Sequence, residues 1–249
     1  MIELRYQDKV AVLKLYRGVT NAINFELINE LDKVLKAVRT DTNVHALVLS
    51  SANDKFFSIG FDIPELYNLS KEDFKLFYER FNESCMELYI FPKPTVAAIT
   101  GHAIAGGFIL ALCCDYRIIG NGRKLMGLNE IKLGVPVPYL ADCLLQDLIG
   151  IRNSREIVEF GEFYHSEESL QMGMVDQVLP LEAVLLKSID KARSIGSIPH
   201  DTYRTIKRNR VEVTESQIRT HWKEKQRSFI ECWYSKEARK LLKDAIKKF

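Results

Sequence analysis

Short apolar runs alternate with longer amphipathic segments through the first half of the 249-residue chain. Three of these runs have the length and composition of buried strands, at residues 10–16, 45–51 and 95–99. The segments between them, 25–39 and about 70–91, repeat apolar side chains at the spacing of a helix. Because strands that alternate with helices usually pair in parallel, the sequence predicts an α/β fold.

The last quarter of the chain is almost entirely helical in its pattern. We therefore divide the chain into an α/β core at 1–195 and a helical region at 196–249. From residue 187 onward there are 17 Lys and Arg against 8 Asp and Glu, although the whole chain has a net charge of only +2. A basic region of this kind suits a polyanion. Since the bases alternate with acids and apolar residues, a solvated helix face is the simpler interpretation.

The sequence lacks the motifs of several common kinds of site. It contains no phosphate-binding loop, dinucleotide-binding fingerprint, hydrolase nucleophile elbow or HExxH zinc motif. Its five histidines and five cysteines show no ligand spacing, so we predict no metal site and no disulfides. No apolar stretch reaches membrane-spanning length and no signal-peptide pattern opens the sequence. We therefore expect a cytoplasmic protein with no membrane partner.

A glycine pair, Gly106 and Gly107, stands between an apolar run and a predicted buried helix. Backbone N–H groups at the start of a helix have no intrahelical acceptor, and glycine lets a ligand approach them closely. Such a turn can stabilise developing negative charge, although glycine pairs more often only permit tight packing. A second glycine turn, at Gly60, follows the run at 45–51. Two N–H donors that converge on one oxygen would form an oxyanion hole.

An ordered set of motifs extends over most of the chain. The motifs are YRGVTNAIN, FFSIGFDIPEL, KPTVAAITGHAIAGGFILALCCDYRI, LMGLNEIKLGVPVP, SEESLQMGMVDQVLP and the C-terminal YSKEARKLLKDAIKKF. Each is weakly specific alone, but in this order they resemble the enoyl-CoA hydratase/isomerase family, the crotonases. The resemblance implies the family's fold, a crotonase-like spiral of ββα units with a C-terminal helical region.

The resemblance also implies a binding mode for an acyl-CoA thioester. The thioester oxygen would accept hydrogen bonds from the backbone N–H groups of Phe61 and Gly106. Coenzyme A, carried by the substrate and not bound permanently, would lie along a further set of residues: Arg17, Ala22, Ile59, Gly60, Asp62 and Ile63. Among these, Arg17 would contact the phosphates of coenzyme A. The helical region would add contacts to coenzyme A and to neighbouring subunits, because family members are usually trimers. The implied assembly is a homotrimer or hexamer.

Glu130 matches the catalytic glutamate that the family retains. Family hydratases carry another glutamate, whose position here is Ile109, and other branches place an aspartate at the position of Pro138. Adding water to a double bond needs two groups that handle protons, whereas a 1,3-proton shift needs one base. The resemblance is therefore closest to the single-glutamate Δ3,Δ2-enoyl-CoA isomerases. The implied substrate pocket includes Ile109, Pro136 and Pro138.

The residues around Glu130 support the same role. Its neighbours at 125–128 and 131–136 are mostly apolar, so the carboxylate should lose solvation and its pKa should rise. A raised pKa suits a group that takes and returns a proton near neutral pH. The alternative is an ordinary surface glutamate, which is the usual environment of this residue type.

Several alternatives remain open at this stage. The same site could hydrate or hydrolyse a CoA thioester. The chain could also bind acyl-CoA without catalysis, as family members that have lost their activity do. Nucleic-acid binding through the basic region is the weakest alternative, because that region lacks interleaved aromatic residues that could stack on bases. We therefore expect no nucleic-acid partner.

Overall fold

Two β-sheets of unequal size organise the computed structural model, which describes residues 1–247. The strands, in chain order, are β1 (Ile2–Gln7), β2 (Val10–Leu15), β3 (Ala46–Ser51), β4 (Phe56–Ser58), β5 (Thr95–Ile99), β6 (His102–Ile104), β7 (Tyr116–Gly120), β8 (Leu125–Gly127), β9 (Tyr164–His165) and β10 (Gln177–Leu179). The larger sheet has the order β1-β2-β3-β5-β7-β10, and its neighbouring strands are parallel except for β1 with β2. The predicted α/β class is confirmed, and the three predicted strands form the centre of this sheet.

The smaller sheet, in the order β4-β6-β8-β9, is a feature that the sequence pattern did not predict. Its strands have two or three residues each, which is too short for an alternating pattern to be recognised. Each of β4, β6 and β8 follows a long strand of the larger sheet and precedes a helix. The glycine turns therefore follow β4 and β6, and not β3 and β5 as the sequence suggested.

Helices pack around both sheets. They are α1 (Phe25–Thr40), α2 (Ile63–Leu66), α3 (Lys71–Tyr89), α4 (Gly106–Leu112), α5 (Tyr139–Phe160), α6 (Ser166–Gln171), α7 (Leu181–Gly196), α8 (His200–Trp233) and α9 (Lys236–Ile246), with a 3₁₀ helix at Glu130–Leu133. Side-chain caps define several helix starts, because Asn24 accepts from the N–H of Leu27 and Ser70 accepts from that of Asp73. Among residues 1–247, no helix combines the length and apolar character that crossing a lipid bilayer requires.

Aromatic stacking joins the end of α8 to the core. The rings of Phe74 and Trp233 stack with centroids 4.3 Å apart, and those of Tyr78 and Phe229 with centroids 4.1 Å apart. Such pairs add stabilisation beyond that of burying their large apolar area. The predicted boundary between core and helical region falls at the end of α7. The division into these two parts stays a prediction, and residues 248–249 of the second part lie outside the described residues.

Two bases of the basic C-terminal region form ion pairs with a buried carboxylate. The Asp115 side chain is 2% exposed, lies 3.0 Å from Lys207 Nζ and also pairs with Arg210. Burial by itself would raise the pKa of Asp115, but the two cations outweigh this effect and hold the pKa below its ordinary value. The interpretation as a solvated face is therefore wrong for Lys207, which is buried, whereas Arg210 is exposed. Both bases anchor α8 to the chain just before β7.

Candidate active site

The turns that follow β4 and β6 lie side by side. These two strands pair in parallel, with Ser58 opposite Ala103. Because parallel strands run in the same direction, their C-terminal ends meet at one edge of the sheet. A methyl group added at Gly60 would lie 2.9 Å from the backbone nitrogen of Gly106. The structure therefore brings together the two glycine turns that the sequence singled out.

The backbone N–H groups of Phe61 and Gly106 are available to a ligand. Neither group donates a hydrogen bond to any residue among 1–247. The groups on either side of Phe61 are occupied, because the N–H of Gly60 donates to Ser58 Oγ at 3.1 Å and that of Asp62 to a backbone carbonyl at 2.9 Å. Two free donors on adjacent turns are what an oxyanion hole requires.

Buried hydrogen bonds fix the Gly60 turn. Ser58 Oγ donates to the carbonyl of Asn21 at 2.8 Å and accepts from the Gly60 N–H. The Asn21 amide donates to Ser51 Oγ at 2.9 Å and to the carbonyl of Phe57 at 3.1 Å. A satisfied buried network of this kind makes the turn rigid. No sequence pattern pointed to Ser58 or to a role for Asn21, although Asn21 lies inside the matched segment YRGVTNAIN.

The presence of glycine has a different explanation at each of the two positions, Gly106 and Gly107. A methyl group at Gly107 would lie 2.2 Å from the carbonyl oxygen of Ser58, which is far inside van der Waals contact. At Gly106 the nearest atom would be 3.2 Å away, on the side chain of Ile23. The packing interpretation is therefore confirmed for Gly107. The interpretation as an N–H donor fits Gly106.

Ala105, the residue before α4, has a backbone conformation that is usual only for glycine. Its φ of 48° and ψ of −120° lie in a region that L side chains rarely adopt. The strain at such a position is about 1–3 kcal/mol. The N–H of Ala105 donates to the carbonyl of Gly127 at 2.9 Å, which ties the turn to the end of β8. An alanine at this position therefore leaves the turn in place.

A cavity of about 700 Å³ opens beside the two N–H groups. Its wall is formed by both glycine turns, the 3₁₀ helix and the ends of α8 and α9. The residues that line it include Ile59, Phe61, Ile63, Gly106, Ile109, Glu130, Pro138, Phe229 and Trp233. Among the described residues, Glu130 and Asp244 supply the only carboxyl groups of this wall. A cavity of this size suits a small-molecule ligand.

Glu130 is a buried residue with a carboxyl oxygen that makes no hydrogen bond to the protein. The residue is 6% exposed, and within residues 1–247 its Oε2 has no hydrogen-bond partner. Burial raises its pKa to about 8. The predicted loss of solvation is confirmed. At neutral pH this carboxyl group can therefore both take and return a proton, which is the property that an acid–base catalyst needs.

The raised pKa of Glu130 predicts how stability changes with pH. The unfolded chain releases this proton near pH 4.5, whereas the folded chain keeps it until about pH 8. The folded state therefore binds the extra proton between these values, and the contribution of Glu130 to stability is lost as the pH rises through 8. In urea unfolding, the free energy of unfolding of Glu130→Gln should rise relative to that of wild type as the pH is raised from 5 to 8.5. An equal stability difference at both pH values would contradict the raised pKa.

The prediction that Pro136 lines the substrate pocket is wrong. This residue is exposed and does not contribute to the cavity wall, whereas Val135 and Pro138 are buried and line it. Neighbouring side chains on this irregular segment face different directions, so closeness to Glu130 in the sequence did not place Pro136 in the cavity. Ile109 lines the cavity as predicted, and with 1% exposure it is an apolar side chain that water does not reach.

Arg17 belongs to the framework of the site. Its guanidinium lies 2.7 Å from the carboxylate of Asp62 and 3.1 Å from that of Glu65, and it donates to the carbonyl of Ala22 at 2.9 Å. A guanidinium that already binds two carboxylates is a poor partner for a phosphate. The structure therefore does not support the predicted phosphate contact of Arg17, and Arg17, Ala22 and Asp62 support the Gly60 turn from outside the cavity.

A group of three cations lies near His102, and no sequence pattern pointed to it. His102 lines the cavity, and its Nδ1 accepts from the N–H of Leu125 at 3.0 Å. Burial lowers the pKa of His102, and the nearby charges of Lys124, Lys55 and Arg123 lower it further. The imidazole is therefore neutral at physiological pH. These three cations, which we call the mouth cations, lie near His102 without lining the cavity themselves.

Comparison with known proteins identifies the family. A sequence model described as enoyl-CoA hydratase/isomerase matches residues 5–248. The chain belongs to the enoyl-CoA hydratase/isomerase family. Mitochondrial enoyl-CoA delta isomerase 1 of Mus musculus is 31% identical over 196 residues, which are 78% of this chain and 66% of the mouse protein. A probable enoyl-CoA hydratase of Bacillus subtilis is 32% identical over 197 residues, which are 79% of this chain and 74% of that protein.

Structural comparison confirms the family's fold. The crystal structure of human mitochondrial delta3-delta2-enoyl-CoA isomerase matches with a TM-score of 0.95 at 27% identity, and the match covers 99% of this chain and 97% of the human chain. The chain spans about two thirds of the length of the mouse relative. Because the relatives include isomerases and hydratases, they define the family and not the reaction. The homotrimer or hexamer and the cytoplasmic location stay predictions.

Proposed function

We propose that this protein is an enoyl-CoA isomerase that moves a double bond from C3 to C2 of an acyl-CoA thioester. The observation that carries the proposal is a single buried carboxyl group, Glu130, in the wall of a cavity that also holds two adjacent free N–H groups. A 1,3-proton shift needs one acid–base group and a means of stabilising an enolate. The site supplies both.

The reaction follows from the positions of these groups. The thioester oxygen accepts hydrogen bonds from the N–H groups of Phe61 and Gly106. Glu130 removes a proton from C2, and the electrons of the broken C–H bond move onto the thioester oxygen to form a dienolate. Each N–H donor stabilises this charge by roughly 3–4 kcal/mol. Glu130 then returns the proton to C4, which leaves the double bond between C2 and C3.

Ile109 favours isomerisation over hydration. Hydration requires a second group that positions and activates water, and the corresponding position holds a buried isoleucine. The other carboxyl group in the cavity wall, on Asp244, is exposed and lies 2.7 Å from Lys247 Nζ. Neither residue is suited to bind a catalytic water opposite Glu130. The same argument disfavours hydrolysis of the thioester.

The mouth cations are the proposed partners of the coenzyme A phosphates. Lys55 and Arg123 are exposed and Lys124 is half-buried, so their charges face the solvent near the cavity. Cationic side chains on flexible stems suit phosphate groups. We assign them this role in place of Arg17, whose charge is already balanced by Asp62 and a second carboxylate.

A substrate panel tests the proposed reaction. The protein should convert a 3-enoyl-CoA to the conjugated 2-enoyl-CoA, followed by the absorbance of the conjugated thioester. With 2-enoyl-CoA it should release no 3-hydroxyacyl-CoA, and with any ester it should release no free thiol. Formation of hydroxyacyl-CoA would show a hydratase, and release of thiol would show a hydrolase. Binding without a spectral change would show a non-catalytic acyl-CoA-binding protein. Each of these results would overturn the proposal.

A further inference from the structure

Ala105 lies in the cavity wall between the two turns that carry the free N–H groups. A methyl group added at Gly60 would lie 3.0 Å from the Cβ of Ala105 and 2.9 Å from the backbone nitrogen of Gly106. The methyl group of Ala105 is therefore close to the Gly60 turn and next to the Gly106 donor. It borders the place where the thioester oxygen is proposed to bind.

The methyl group is the part of Ala105 that a ligand can meet. Ala105 is half-buried, whereas its neighbours Ile104 and Gly106 are buried. Its N–H donates to the carbonyl of Gly127 at 2.9 Å, and its own carbonyl accepts from the N–H of Ile109 at 2.9 Å. Because both polar backbone groups are bonded within the protein, the surface that Ala105 offers to the cavity is apolar.

The protein keeps this methyl group although it strains the backbone. The φ of 48° and ψ of −120° at Ala105 suit glycine, which has no side chain to oppose them. Glycine would relieve the strain and keep both hydrogen bonds, since neither uses the side chain. Strain that persists in this way is typical of functional sites. A methyl group cannot form a hydrogen bond, so its effect on a ligand is steric.

Ala105 lies on the side of the oxyanion hole that leads to Glu130. Its hydrogen bond joins it to Gly127 at the end of β8, and the chain reaches Glu130 three residues later. In the proposed reaction Glu130 removes a proton from C2 of the thioester. The two remaining substituents of C2 then lie in the plane of the dienolate, one on the side of its oxygen and one on the side of its sulfur. The substituent on the oxygen side is the one that faces Ala105.

We propose that Ala105 selects acyl-CoA thioesters that carry no branch at C2. In a straight-chain ester one of the two substituents is hydrogen, which takes the crowded oxygen side while the acyl chain takes the other. In a 2-methyl ester both substituents are carbon, so one of them has to meet the methyl group of Ala105. A misfit of this size in an apolar pocket changes kcat/KM by about 10–200-fold. This inference rests on the proposed function and narrows its substrate class.

The test is the ratio of kcat/KM for 3-hexenoyl-CoA to that for 2-methyl-3-hexenoyl-CoA, both followed by the absorbance of the conjugated product. Wild type should favour the straight ester by about tenfold or more. Ala105→Gly should lower this ratio by about tenfold, because a hydrogen replaces the methyl group. Ala105→Ser retains a β-carbon, so its ratio should be at least that of wild type. Comparing variants removes the effect of the branch on the acidity of C2. A ratio that Ala105→Gly leaves unchanged would overturn the inference.

Lys9→Gly is the control for the added freedom of a glycine backbone. Lys9 also has a positive φ, of 65°, but it is exposed and lies outside the cavity wall. Its replacement should leave the ratio at the wild-type value, and a ratio lowered as much as in Ala105→Gly would overturn the inference. Equal kcat/KM of wild type for the two esters would overturn the inference and leave the proposed function standing. Failure of wild type to convert 3-hexenoyl-CoA would overturn both.

Discussion

Replacing Glu130 by Gln is expected to slow the conversion of 3-enoyl-CoA to 2-enoyl-CoA by roughly 10²–10⁴-fold, the usual contribution of one acid–base group. Gln has nearly the size and shape of protonated Glu, so the cavity should keep its form. It cannot accept the proton from C2, and the site contains no other buried carboxyl group among its described residues. The measurement is kcat with a 3-enoyl-CoA, together with the Kd of a saturated acyl-CoA.

Asp244→Asn is the matched control for this experiment. Asp244 is the other carboxyl group of the cavity wall, but it is exposed and paired with Lys247. Its replacement should change kcat by less than about twofold, while Glu130→Gln should leave the Kd of the saturated ester nearly unchanged. Full turnover in Glu130→Gln, or a large loss in Asp244→Asn, would show that Glu130 is not the base.

Replacing Gly107 by Ala is expected to destabilise the protein by about 3 kcal/mol, at the upper end of the usual range for overpacking. Gly107 lies within α4, where helix propensity alone would make alanine more stable than glycine by about 1 kcal/mol. The added methyl group would lie 2.2 Å from the carbonyl oxygen of Ser58, so strand β4 or helix α4 has to move. The contact and the propensity therefore predict opposite signs for the change in stability.

Thermal unfolding and turnover together test the Gly107 prediction. For a chain of this size the expected loss corresponds to a fall in Tm of roughly 10 °C. Turnover should fall as well, because Ser58 positions the N–H of Gly60 next to the proposed oxyanion hole. Gly122→Ala serves as the control, since no atom lies within 4 Å of a methyl group there and only its φ of +82° opposes the change. A Tm for Gly107→Ala at or above that of Gly122→Ala would contradict the packing role.

Local sequence patterns were sufficient to predict the long elements and the burial of Glu130. The central strands and α1 follow from apolar spacing within single segments, and Asn24 caps α1 through a contact three residues away. The expectation that Glu130 is desolvated also came from its immediate neighbours. The roles of Phe61 and Gly106 came from matching motifs, and the structure then placed their turns side by side.

The features that local sequence patterns did not predict depend on contacts between segments that are far apart in the chain. A three-residue strand such as β4 exists only because β6 pairs with it, so no local signal announces it. Lys207 looked like part of a solvated helix face until Asp115 was placed beside it. Pro136 and Val135 are equally apolar neighbours, yet packing buries only one of them.

The sequence by itself determined that backbone amides and one poorly solvated acid were available for chemistry, because those properties depend on nearby residues. Only the tertiary structure decided that both amides border one cavity and that Glu130 lies buried in its wall. The physical reason is that stacking of Trp233 on Phe74 joins segments far apart in the chain. Such a contact depends on the packing of the whole core, and no stretch of sequence encodes it alone.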